Sequence, residues 1–157
     1  CNMVRCGLRN YRDLDVWEKS HKLTLELYRV SRGFPREEIY GVTSQLRRAA
    51  MSIGANLAEG CGRRTSAELA RFVRIAMGSA SELDYHLLLC RDFEFLAKED
   101  YARLFQELTR VRKMLWSLLM SIEKQIDADR VAVTKYQIPN TKYQELIANL
   151  SERANSC

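Results

Sequence analysis

The residues with the best claim to chemistry are two glutamates, Glu59 and Glu82, and the two histidines, His21 and His86. A pair of carboxylates could divide acid and base roles, but only if they converge beside a nucleophile or a bound water. No nucleophile motif accompanies these two. Pairing with Arg47 or Arg48 is the better expectation for them. The two histidines lie on separate helical stretches with no second imidazole at ligand spacing, so a metal site is disfavoured. Trp17, Tyr28 and Phe72 recur at helical spacing, which suits a packed interior better than a base-stacking platform. The chain is therefore expected to be no enzyme and to need no cofactor or metal.

The arginines are harder to set aside. Arg47, Arg48, Arg63, Arg64, Arg71 and Arg74 fall in one short span, and together they are the candidate nucleic-acid-binding set. Within it the roles divide. Arg47 and Arg48 are expected chiefly to pair with Glu59 or Glu82, within or between subunits, and Arg63 and Arg64 to meet any ligand. The same span, from Tyr40 to Arg64, places Ala50, Gly54 and Ala58 at i, i+4 and i+8, a side-chain-poor groove if the segment is helical.

Charge bookkeeping supports that division. Of the net +5, residues 29–74 carry 9 basic and 4 acidic groups, whereas the blocks 1–28, 75–126 and 127–157 come to +1, −1 and 0. A localised excess permits contact with phosphates, although a solvated basic face is as common. At 157 residues, with 46% apolar and 29% charged residues, 2 prolines and 7 glycines, the chain suits a single helical domain with a real core. Five cysteines without a C-x-x-C pair argue against a disulfide framework or zinc knuckle. Nothing resembles a signal peptide or a membrane span. A cytoplasmic, reduced setting without a membrane partner is the expectation.

Four helical patterns must position these residues. From Asp13 to about Arg32, one apolar set (Leu14, Trp17, His21, Leu25, Tyr28) opposes another (Val16, Leu23, Leu27, Val30, Phe34), leaving a narrow charged stripe; so wide an arc implies contact on two sides. Gly33-Phe34-Pro35 ends it. A second helix starts between Pro35 and Thr43 and runs on a stripe of Val42, Leu46, Ala49, Ile53 and Leu57 to Gly60-Cys61-Gly62. Thr65 and Glu68 form a capping box opening a third helix to about Leu96. Its end, with Leu88, Leu89, Phe93 and Phe95, is apolar nearly all round, which points to self-association. A fourth follows Lys98-Glu99-Asp100 on a seam of Leu104, Leu108, Val111, Leu115, Leu118 and Ile122. The expected fold is all-α, an up-down-up-down four-helix bundle over 11–126. Residues 1–10 are expected to be a disordered leader and 127–157 a tail with a short amphipathic helix near Tyr143–Leu150. Trp17, Leu23, Leu27, Leu88, Phe93 and Phe95 are the expected oligomer interface; Asn56, Glu59 and Glu82 are the expected structural polar residues.

Five blocks in order, Tyr11-Arg12-Asp13-Leu14-x-Val16-Trp17, Phe34-Pro35, Tyr40-Gly41-x-Thr43-Ser44-Gln45-Leu46-Arg47-Arg48-Ala49-Ala50, Asn56-x-Ala58-Glu59-Gly60 and Gly78-Ser79-x-x-Glu82-Leu83, resemble the bacterial four-helix-bundle family first met in intervening sequences of 23S rRNA genes. The resemblance covers about 11–125. It implies a small cytoplasmic bundle without enzymatic activity that assembles as a ring-like homo-oligomer, a pentamer. Related bundles of diversity-generating retroelements act as accessory subunits that bind a reverse transcriptase and nucleic acid, which extends by analogy to RNA, DNA or a reverse transcriptase as partners. Gly54 stands where the family usually has proline. Two functions remain open: a homo-oligomer that binds nucleic acid through a basic surface, and an assembly or adaptor protein whose arginines serve salt bridges alone.

Overall fold

A computed structural model describes residues 10–136, and the expected leader up to residue 9 and the tail beyond 136 lie outside the described residues. Asn10 accepts a hydrogen bond from the Arg12 amide at 3.2 Å, starting a 3-10 turn over Tyr11–Asp13. Helix α1, Asp15–Val30, opens with Asp15 and Glu18 in its first turn, where carboxylates offset the positive end of the helix dipole. It tightens into a 3-10 turn over Ser31–Gly33, and Pro35 prevents its continuation.

A further 3-10 turn, Arg36–Ile39, brings the Glu38 carboxylate to the amide of Val42 at 3.1 Å. That bond satisfies one of the orphan donors of helix α2, Val42–Cys61. The start falls near the later end of the expected interval from Pro35 to Thr43. The helix runs unbroken through Gly54, where a Cβ would make only ordinary contact with Ser20 and Trp17.

Helix α3, Ser66–Asp92, begins with the expected capping box: the Glu68 amide donates to Thr65 Oγ1 at 3.2 Å, and that hydroxyl donates to Glu68 Oε2 at 2.9 Å. Its end differs from expectation. Glu94 adopts φ 61°, the amide of Phe95 returns to the Cys90 carbonyl at 2.9 Å and that of Glu94 to Arg91 at 2.9 Å. This is a Schellman closure with glutamate at the position glycine usually takes. Phe93 and Phe95 thus belong to a turn, not to a helical face. Helix α4, Lys98–Tyr136, continues well past residue 126. The chain divides into two compact units at Ile126 and Asp127, and everything that follows concerns the first.

Polar links between neighbours define the order of the helices around the bundle. Thr24 Oγ1 donates to the Ala50 carbonyl at 3.2 Å (α1 to α2), the Ser52 and Ser79 hydroxyls meet at 2.9 Å (α2 to α3), Arg112 pairs with Asp84 at 2.8 Å (α3 to α4), and Arg103 pairs with Glu26 at 2.5 Å (α4 to α1). The square is closed, with sequential neighbours antiparallel, which is the up-down-up-down bundle. Leu27, Leu46, Ile53, Leu57, Leu83, Leu87, Leu104, Leu115 and Ile122 fill its centre and are essentially inaccessible.

Two interface assignments are corrected here. Leu23 and Leu27 are 2% and 0% exposed, so the set they share with Val16 faces the core and cannot meet a partner. Of the opposing set, His21 and Leu25 are exposed and Trp17 and Tyr28 half-buried, while Leu14 joins the core.

Candidate functional site

The α2–α3 turn gathers the basic residues through chain geometry: α2 ends at Cys61, Gly62 caps it with its amide on the Ala58 and Glu59 carbonyls, and Thr65 starts α3. Arg63 and Arg64 occupy the intervening positions and are exposed, and Arg71 is exposed two turns into α3. Arg63 is held from both sides. Its guanidinium pairs with Glu59 and lies 5.0 Å above the Phe72 ring, a cation–π contact that fixes the side chain while leaving the group wet. Arg74, at the α3–α4 seam, pairs with Glu123 at 2.5 Å.

Arg47 and Arg48 stand apart from that turn and from each other. Arg48 pairs with Glu82 at 3.1 Å and also reaches Gln45 at 3.1 Å, so the expected structural role holds for this residue. Arg47 departs from expectation: it donates to Ser31 Oγ at 2.8 Å and lies 4.9 Å above the Tyr28 ring, because helix α1 and its terminal turn, not a glutamate, stand opposite it. Glu59 and Glu82 are not brought together as a carboxylate pair. Each is held by a different arginine, and Glu82 also lies 3.6 Å from His86 Nε2.

Asn56 donates to the Ser52 carbonyl at 2.8 Å and its hydroxyl at 3.0 Å, extending the Ser52–Ser79 link into a polar ladder between α2 and α3. His86 Nδ1 is buried without a hydrogen-bond partner among the described residues. Cys90 is fully buried, and that burial, with the Glu38 carboxylate second, pushes its thiol up to about 11; such a thiol is a poor nucleophile at neutral pH. Among the described residues no group of three or more histidines, cysteines or carboxylates is placed to hold a metal.

The remaining interface candidates scatter. Trp17 is half-buried in a groove between α1 and α2, Leu88 is half-buried on α3, Phe93 is 53% exposed, and Phe95 turns inward against Phe34 at 5.7 Å. Two apolar features were missed by the periodicity. One is the breadth of the α1–α2 groove, about 360 Å³, where the Trp17 ring stacks on His21 at 5.1 Å and takes the edge of Tyr11 at 4.8 Å. The other is Trp116, 54% exposed, with Phe105 and Met120 at 40% and 38%. These three lie off the buried seam of α4, and their common helical face was the available signal.

The chain is an all-helical bundle whose polar side chains tie neighbouring helices together, with Arg63 and Arg64 at the α2–α3 turn and Arg71 close by on α3. The chain belongs to the 23S rRNA-intervening sequence protein family, whose model matches residues 12–117. It is similar to a crystal structure from Bacteroides thetaiotaomicron described as a protein with unknown function from the S23 ribosomal protein family, with 25% identity over 67% of this chain and 95% of that one and a TM-score of 0.63. No curated protein matches. Among the described residues no helix is long and apolar enough to cross a membrane.

Proposed function

We propose that this chain is a non-catalytic, self-associating bundle that binds the phosphate backbone of RNA or DNA through the α2–α3 turn. The observation that carries the reading is the exposure of Arg63, Arg64 and Arg71 around that turn, inside the block that holds the chain's excess positive charge. Arginine suits this role because its planar donor fork matches phosphate oxygens. Contacts of this kind position a nucleic acid without reading its bases, so the binding is weakly sequence-selective. Repetition in a homo-oligomer would multiply several weak contacts into avidity.

The test is retention on immobilised RNA and DNA as salt is raised. Wild-type protein is expected to bind at low ionic strength and to release with a steep dependence on salt, and each phosphate contact removed by Arg63→Glu, Arg64→Glu or Arg71→Glu should lower the logarithmic slope by about one. No salt-sensitive retention, or no change on charge reversal, sinks the reading. The analogy to reverse-transcriptase accessory bundles extends it one step further, and co-purification with a reverse transcriptase encoded nearby would test that step.

A second reading, an assembly or adaptor protein without nucleic-acid binding, is favoured by the engagement of Arg47 and Arg48 within the bundle. On that reading Arg48→Ala lowers stability by about 0–1 kcal/mol, the usual range for an exposed pair, while nucleic-acid retention is absent throughout.

A further inference from the structure

We infer that the open face of the Arg63 guanidinium is a stacking platform for an unpaired base, so that the α2–α3 turn takes single-stranded RNA or DNA in preference to a duplex. The inference rests on the phosphate binding proposed above and names the form of nucleic acid that it takes.

The platform is built at a close helix crossing. Gly60, in the last turn of α2, has no side chain, and a Cβ there would lie 2.9 Å from that of Phe72; its absence lets α3 bring the Phe72 ring up to the turn. Arg63 lies 5.0 Å above that ring, and its Nη2 donates to Glu59. One face and one corner of the planar group are thereby held, while the side chain remains 43% exposed. An arginine held in this way has already given up much of the rotamer freedom that binding would otherwise cost. What it offers a ligand is a flat, delocalised surface backed by a ring, and unpaired bases stack on such guanidinium planes.

The surroundings suit a strand passing over that surface. Arg64 follows Arg63 in the chain and Arg71 precedes Phe72, and both are exposed, so each half of the ring–guanidinium pair carries an arginine beside it for a flanking phosphate. The carboxylates nearest in the chain are engaged, Glu59 by Arg63 and Glu68 by the Thr65 hydroxyl. A duplex cannot use the platform, because its base faces cover one another and only base edges reach the grooves. Phosphate contacts alone would favour the duplex, which carries more charge per unit length than a single strand. The same kind of contact recurs at the far end of α3, where Arg91 lies 5.0 Å above Tyr101. There the corresponding neighbours are Asp92 and Asp100, which repel phosphate, so Arg91 is the internal control.

The test measures binding of the full chain to a fluorescent single-stranded oligonucleotide, an abasic strand of the same length and the matching duplex, by anisotropy across a salt series with circular dichroism as the fold control. Wild type is expected to bind the base-bearing strand about fivefold or more tighter than the abasic one, the lower end of what one stacked base contributes, and tighter than the duplex. Arg63→Lys keeps the charge and loses the plane, so it should abolish the difference between the two strands with the salt slope unchanged. Phe72→Leu removes the backing ring and should reduce that difference, whereas Arg64→Lys and Arg91→Lys should leave it as in wild type. Equal binding of the two strands by wild type, tighter binding of the duplex, or a strand difference that survives in Arg63→Lys overturns the platform and leaves phosphate binding standing. Absence of salt-sensitive binding to all three probes overturns both.

Discussion

A Cβ on Gly60 would lie 2.9 Å from the Cβ of Phe72 and 3.0 Å from Leu69 Cδ1, closer than side chains pack without displacement. Gly60→Ala should therefore cost about 1–3 kcal/mol through overpacking. Gly78, with nothing near its missing side chain, should show the reverse, Gly78→Ala gaining up to ~1 kcal/mol of helix propensity; urea unfolding of both variants checks the pair. Cys90 offers a second residue-scale test. Its folded thiol is raised from 9.0 to about 11, so the unfolded chain loses this proton first. Stability intact below pH 9 should fall as pH climbs towards 11, and Cys90→Ala should flatten that decline in a pH series of denaturant midpoints. The sequence made Gly54 and Ala58 legible as a groove because their spacing is local. It gave no such warning for Gly60, which reads as a helix terminus until the neighbour that presses on it is known.

Between helices, the starts were easier to read than the ends. The Thr65 capping box needs only two residues at fixed spacing, and Thr65→Ala should cost about 1 kcal/mol. The end of α3 carries glutamate where glycine would announce a left-handed residue. Glu94→Gly relieves that φ of 61° and should stabilise by about 1 kcal/mol; thermal unfolding of both variants measures the two signs. The two apolar sets of α1 were visible, but periodicity does not say which of them the core takes. Packing decides it: burial of Leu23 and Leu27 against the core turns His21 and Leu25 outward, and the Glu26–Arg103 pair and the Thr24 bond to α2 are compatible with that rotation. The basic site was legible in the same partial way. Arg63 and Arg64 sit at the turn that their flanking glycines and capping box foretold, whereas the ring faces beneath Arg63 and Arg47 could come only from tertiary contact.

At the scale of the molecule, α4 is strapped to both neighbours, by Arg103 to Glu26 on one side and by Arg112 to Asp84 and Glu123 to Arg74 on the other. Exposed pairs add little stability singly, but together they fix which helices are adjacent, and so which edges of the bundle are left to meet other molecules. The close crossing at Gly60 has a consequence in time as well as space. Helices α2 and α3 are joined by a short turn and share a more extensive contact than α1 and α2 do, and their contacts are local in the chain, which favours early formation. The amide protons of this hairpin should be the last to exchange with deuterated water, those of α1 escaping sooner through partial openings in which the hairpin stays intact. If α1 and the α2–α3 hairpin exchange at one rate, the bundle opens only as a whole.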